Sequence, residues 1–440
     1  MGTDTPHGLF RRQLLQASLA AGAIAGTGRA AGAQAKPEKL VYVGDNGPWH
    51  KCLVEEVAPA YEKATGIKIE YTLLPIDALV ARLKAELSSG EGGIDIVQWD
   101  ASMAGWISRH MQDHTELLHG AASKQADFDW GDFLPAVQNM ATYEGKLSGI
   151  PYRVTTGILF YQKKLLEQAG IAKPPSNFPE LLAATQATTK QGAPNRFGFG
   201  VMGRQGPAML GSFTPFLRSS DGHYYDPKTG EIFVNKPAAV EALQFYGDLM
   251  TKYHVTNPAS LTWEFDGIIA GGQADQFAMT VTLAPYGEAM NNPAVSKTGG
   301  NWAFTVMPGK EDIKQTGTYL AGWMLGVPEK TKNTEYAFEF IQMATSKQWM
   351  MRSIELGNSP PRVSVLQDPA VLAKHPWAPV AGEAFKTAVL DHRDPLWAAA
   401  QLPLRTAISQ VLLGQRTAQE ALDEVANQWR RSFKLAGMKG

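Results

Sequence analysis

Residues 145–170, GKLSGIPYRVTTGILFYQKKLLEQAG, decide how this chain is read. Gly145 and Gly149 mark a turn ahead of Pro151, and the apolar run Ile158, Leu159, Phe160, Tyr161 leads into a lysine-rich helix start. That is the layout of a strand feeding a helix. YRVTT interrupts it, placing Tyr152, Arg153, Thr155 and Thr156 where a chain should be burying itself.

The same alternation of strands and helices extends in both directions. Upstream, Leu40–Val43 is a short apolar run, and Leu53, Val54, Val57, Ala60, Tyr61 and Ala64 form a helical stripe ended by Gly66. IKIEYTLLP then alternates as a strand, IDALVARLKAELSSG is helical, and GIDIVQWD is a third strand ending at Asp100. Strands and helices in this order predict an α/β fold with a mainly parallel sheet covered on both sides. Downstream, residues 192–235 are rich in Gly, aromatic residues and turns. Helices resume at PAAVEALQFYGDLMTKY, NTEYAFEFIQMATSKQWMMRSIELG and TAQEALDEVANQWRRSFKLAG. Asn177 with Glu180, and Thr417 with Glu420, have the spacing of helix N-terminal caps.

At 440 residues the chain exceeds one ordinary core and predicts two domains. With 44% hydrophobic and 19% charged residues the composition is that of an ordinary globular protein. A formal charge of −1, with no long Lys/Arg run, argues against nucleic acid as a partner. Residues 1–35 differ in texture: Arg11-Arg12, an Ala-rich apolar segment from Leu14 to Ala25, then small residues. This is the layout of a secretory signal of twin-arginine type, with cleavage expected near residue 33 or 35 and a periplasmic location. Cys52, the only cysteine, has no partner for an internal disulfide.

Six segments, in order, resemble the periplasmic solute-binding proteins of carbohydrate-type ABC importers, the broad group that includes maltose-binding protein. They are AYEKATGIKIEY, ELSSGEGGIDIVQWDA, the long stretch from YEGKLSGIPYRVTTG to AATQATTK, FVNKPAAVEALQFYGDLM, YLAGWMLGVPEKTKNTEYAFEFIQMATSKQWMM with GNSPPRVSVLQDP, and LLGQRTAQEALDEVANQW. The similarity runs from about Leu40 to Trp429. It implies a type II binding-protein fold: two discontinuous α/β lobes around a ligand cleft. Crossovers would fall near Pro151–Thr155, Leu320–Trp323 and Asn358–Arg362, giving one lobe of 36–152 plus 323–358 and another of 153–322 plus 359–440. On this reading YRVTT is the first crossover, with its polar residues facing the cleft.

A polyhydroxyl ligand needs aromatic faces for its C–H surfaces and fixed donors and acceptors for its hydroxyls. Such groups are expected at strand ends and crossovers. Asn46, Trp49 and His50 follow the first strand, although Trp49 reads equally as helix-start packing. Asp100 and Trp99 are consecutive strand residues, so one faces the cleft, and Asp100 is preferred. Tyr152 and Arg153 sit on the first crossover, where Arg153 has a surface or interlobe salt bridge as its alternative. Gly322 and Trp323 sit on the second and Arg362 on the third; Trp263, Tyr286 and Arg204 complete the candidates, the last on a Gly-flanked loop where it reads equally as solvated. Trp323 leads among the aromatics.

The implied function is capture of a sugar, oligosaccharide or sugar alcohol by a monomeric binding protein for ABC importer transmembrane subunits, with no cofactor or metal. An anionic ligand such as glycerol-3-phosphate or a phosphodiester is the alternative, because Arg153 and Arg204 suit a phosphate. An exported glycoside-acting enzyme stands lower, since carboxylate pairs such as Glu264/Asp266 occur by chance. His110 and His114, four apart, read as a surface pair.

Overall fold

The structure, a computed structural model, describes residues 36–120, 123, 128–311, 317–390 and 392–436. The signal read at residues 1–35 lies outside them. The strands are β1 (Lys39–Asp45), β2 (Lys68–Leu74), β3 (Ile96–Asp100), the hairpin β4 (Thr142–Tyr143) and β5 (Lys146–Leu147), β6 (Ile150–Thr155), β7 (Gly157–Gln162), β8 (Phe197–Gly200), β9 (Phe277–Leu283), β10 (Trp302–Thr305), β11 (Thr318–Gly326) and β12 (Ala388–Leu390). They build two main sheets. The first has the order β12-β11-β3-β1-β2 with β6 also on β11, and the second is β10-β7-β9-β8.

The expected parallel sheet is only part of what forms. β1 pairs in parallel with β2 and β3, whereas β11 runs antiparallel to β3 and β6. The reason is the chain path. β11 enters this sheet from the second-sheet side instead of through a helical crossover of its own.

YRVTT lies in β6, and one residue, Thr156, separates β6 from β7 of the other sheet. The first crossover is therefore a nearly continuous strand. β11 returns at the expected second crossover, and its pairing with β6 slips by one residue, Trp323 opposite Arg153 but Met324 opposite Pro151. Tyr152 is the extra residue of a β-bulge. The third segment runs alongside, Val154 N–H donating to Ser359 O at 2.9 Å and Asn358 Nδ2 to Tyr152 O at 3.3 Å.

Two apolar cores result. One lies around β1, β3, β6 and β11 and continues under the second sheet at Phe160, Phe277, Trp302 and Phe304, and the other holds the helices Pro237–Thr251, Trp397–Leu412 and Ala418–Leu435. The helix ends follow the sequence signals. Thr417 and Glu420 form a complete capping box, Asn177 accepts from Glu180 N–H, and Gly66 closes Ala58–Thr65 in a left-handed conformation at φ 72°. Within the glycine-rich stretch the chain forms a helix, Pro207–Arg218, almost entirely buried. A helix covered on all sides shows no polar stripe in sequence.

The His110/His114 surface pair does not form. His114 is fully buried, its Nδ1 against Gln112 O at 2.9 Å and its Nε2 accepting from Val327 N–H at 3.1 Å. Among the described residues no helix is long and apolar enough to cross a membrane.

Candidate functional site

The site grows from the register of three strands. Trp323 on β11 lies opposite Asp100 of β3 on one side and Arg153 of β6 on the other. Directly opposite residues share a sheet face, so an indole, a carboxylate and a guanidinium are placed side by side. β1 ends next to them at Asp45. The turn that follows, Pro48–His50, carries Trp49 back over that end, its indole Nε1 donating to Asp45 Oδ1 at 3.2 Å.

Arg153 joins these pieces. Its Nη2 lies 3.3 Å from Asp45 Oδ2, and its guanidinium carbon stands 3.9 Å from the centre of the Trp49 ring and 5.0 Å from that of Trp323. The cation therefore lies against two π faces with a carboxylate at its edge, an arrangement that holds its plane fixed. Asp100 Oδ1 accepts from Ser102 N–H at 2.9 Å and Oγ at 2.6 Å. Burial pushes the Asp100 carboxyl above its ordinary range; Ser102 and the Arg153 charge oppose that rise, and Asp45 adds to it.

Tyr286 reaches this cluster from the second sheet. It opens the helix Tyr286–Asn291 after β9 and is buried beside Phe265, ring centres 6.1 Å apart. Burial raises the pKa of its hydroxyl; Arg153 opposes the rise, and Asp266 and Asp45 add to it. The phenol thus sits within electrostatic reach of side chains on the first sheet.

The other expected residues lie elsewhere. Tyr152 does not face the cleft with Arg153: it is 1% exposed, in the first core, its hydroxyl donating to Trp49 O at 3.4 Å. The bulge breaks the alternation of β6 at Tyr152 and leaves its side chain in the core, whereas Trp99, also fully buried beside Asp100, follows the ordinary alternation of a strand. Gly322 gives room to protein instead of ligand, since a Cβ there would meet Met140 Cε at 2.3 Å and Arg153 O at 2.7 Å.

Arg362 is a buried brace, bound to Thr345 O at 2.7 Å, Asp129 O at 3.0 Å and Asp132 Oδ2 at 3.0 Å, with the Phe133 ring 4.3 Å away. Arg204 is mostly exposed and paired with Glu264 at 3.2 Å. The Trp263 ring packs over Gly267 and Gly271 and near Phe277. Asn46 is exposed, its N–H donating to Leu74 O at 2.9 Å.

His50 lies one layer behind Asp45. Gln98 Oε1 accepts from Asp45 N–H at 3.2 Å and lies 2.8 Å from His50 Nε2. A backbone N–H is always a donor, which fixes the amide oxygen toward it. An amide oxygen only accepts, so the proton of His50 is on Nε2. Burial lowers the His50 pKa to about 4, against the pull of Asp45, so the ring is neutral near pH 7. Asp45 and Gln98 are absent from the residues expected from sequence. The signal was present in both: a polar residue ending a short strand, and one in the middle of an apolar strand.

Comparison with known proteins agrees with this fold. A model of bacterial extracellular solute-binding proteins matches residues 53–351. The chain is 25% identical over 338 residues to a probable ABC transporter-binding protein of Deinococcus radiodurans, covering 76% of this chain and 78% of that one. It is 25% identical over 316 residues to an erythritol/L-threitol-binding protein of Mycolicibacterium smegmatis, covering 68% of this chain and 64% of that one. An ABC transporter solute-binding protein of Agrobacterium radiobacter in complex with ribitol superposes with a TM-score of 0.81 at 23% identity, over 90% of this chain and all of that one. With two sheets joined by β6–β7 and β11 and a matching family model over most of its length, this chain belongs to the bacterial extracellular solute-binding protein family.

Proposed function

We propose that this protein is the substrate-binding component of an ABC importer. It captures a sugar, oligosaccharide or sugar alcohol between two lobes built on the two sheets and delivers it to the membrane subunits. The first lobe keeps β6 through Thr155, β11 from Thr318 and also β12, so its bounds differ from the expected 152/153 and 322/323 divisions. Export as a monomer to the periplasm through the signal at residues 1–35 completes the reading. The observation that carries it is the Asp45–Arg153 pair held against Trp49 and Trp323 at the junction of the sheets. Hydroxyls are served by such a mixture of fixed donors and acceptors. A ligand touching both sheets favours the state in which they are close. No chemistry on the ligand is required.

A neutral ligand fits better than an anionic one. Both arginines that suggested phosphate already face a carboxylate: Arg153 faces Asp45 and Arg204 faces Glu264. Asp100 adds a further acid beside Arg153. The test is a thermal-shift screen of the purified protein against sugars, sugar alcohols, glycerol phosphodiesters and amino acids. A true ligand at 100 times its Kd adds about 2.7 kcal/mol of stability. A shift with neutral polyhydroxyl compounds, absent in an Asp45→Ala variant, is expected. No response to any carbohydrate, alongside turnover of a glycoside, would overturn the reading.

A further inference from the structure

Within that function, we propose that the ligand is an open-chain sugar alcohol and not a stacked pyranose ring. This inference rests on the binding reading and narrows it. A pyranose is held by laying its flat C–H face on an uncovered aromatic face, with hydroxyls bonded at its rim. In this protein the guanidinium of Arg153 occupies such a face. It lies 3.9 Å from the Trp49 ring centre and is fixed there by Asp45, whose other oxygen accepts from the Trp49 indole. Gly47 packs against the same ring: a Cβ built on it would fall 2.2–2.6 Å from Trp49 Cζ2, Cε2 and Cη2. Trp323 is 6% exposed and has the same guanidinium 5.0 Å from its centre. The two indoles are thus engaged in orienting Arg153.

What remains for a ligand is polar. A planar guanidinium offers several donors in one fixed plane. The Asp100 carboxylate has its Oδ1 engaged by Ser102 and supplies a second oxygen. Tyr286, at the start of the helix that follows β9, adds a buried phenol within electrostatic reach of Arg153. An alditol suits this set. Every carbon carries a hydroxyl that both donates and accepts, the chain bends to follow unevenly placed partners, and it has no continuous apolar face to cover.

The experiment pairs ligands of equal carbon number that differ in ring closure: glucitol with glucose, mannitol with mannose, ribitol with ribose. Titration calorimetry on the wild-type protein is expected to give at least tenfold tighter binding of the alditol in one or more pairs. Arg153→Met is expected to weaken alditol binding more than tenfold and reduce the preference to under threefold, because the indole faces are uncovered. Arg153→Lys, which keeps the charge without the planar fork, should also lose the preference. Wild-type protein binding the pyranose, or maltose, as tightly as or tighter than every alditol overturns this inference and leaves the binding function standing. Binding of neither class overturns this inference, and the binding function falls with it only if the thermal-shift screen finds no carbohydrate ligand at all.

Discussion

Asp45 is bonded on every side. Oδ2 meets Arg153, Oδ1 accepts from Trp49, the backbone N–H reaches Gln98, and the His50 ring stands 3.7 Å away. His50 is kept neutral by burial, its pKa lowered to about 4, and His114 is lowered to about 4 in the same way. In the unfolded chain both titrate near 6.5, so over the interval between the unfolded and folded values the unfolded state binds more protons. Stability is therefore full above about 6.5 and falls as pH drops toward 4, by up to roughly 3 kcal/mol for each ring. Urea denaturation at pH 7, 5.5 and 4.5 should show this decline, and His114→Gln should remove about half of it. An unfolding free energy that is flat over that range would contradict the assignment. Individual site residues are only partly legible in sequence. Trp49, Arg153, Trp323, Asp100 and Tyr286 are aromatic or charged groups at strand ends or crossovers and can be nominated. The role of Asp45 depends on partners 53 and 108 positions away, Gln98 and Arg153, which spacing does not display.

Elements read more clearly than residues where a pattern has a cause that is local. Capping spacing and amphipathic stripes forecast Phe178–Gly192, Pro237–Thr251 and Ala418–Leu435 because those helices keep one wet face. Pro207–Arg218 escapes notice because it is covered all round and carries Pro215 inside. β6 shows the same limit. A regular alternation would separate Arg153 from Tyr152, but the bulge that makes Tyr152 the extra residue belongs to the pairing with β11 and is not visible in either strand alone. Gly322 lies within that pairing, opposite Val154. A methyl there would press on the flexible end of Met140, which can yield, and on the carbonyl of Arg153, which cannot. Gly322→Ala is expected to lower stability by about 1–3 kcal/mol, as overpacking does, and to weaken ligand binding by displacing Arg153. Denaturant midpoints and calorimetry on the variant check both effects. An unchanged midpoint would mean that β11 and β6 are looser than their register implies.

At the scale of the molecule, two cores are joined by the β6–β7 passage and by β11, and also by two neighbouring side chains in the segment before Trp397–Leu412. Arg393 Nη1 donates to the carbonyls of Asn139, Met140 and Thr142 at 3.0, 3.0 and 2.8 Å, at the end of the helix Pro135–Ala141, and Gly105 N–H donates to Arg393 O at 2.9 Å. Met140 and Ala141 belong to the first core. Asp394 accepts from the Tyr225 hydroxyl at 2.9 and 2.8 Å, and Tyr225 belongs to the second. A cation at a helix C-terminus satisfies carbonyls that have no partner within the helix and opposes the negative end of its dipole. Consecutive residues thus hold opposite cores, and any swing between the sheets must move one of these attachments. Removing Arg393 leaves the carbonyls to water and frees one end of the tie. Arg393→Ala should lower stability by about 2 kcal/mol, in line with lost charge-assisted bonds. It should also populate more separated arrangements of the lobes in the absence of ligand. Small-angle scattering would show this as a larger radius of gyration that returns to the wild-type value at saturating ligand. Because apparent affinity falls with the fraction of competent molecules, Kd should rise by the same factor by which that fraction drops. Superimposable scattering with unchanged Kd, despite the loss of stability, would show that Arg393 only braces the helix end and does not set the relation between the lobes.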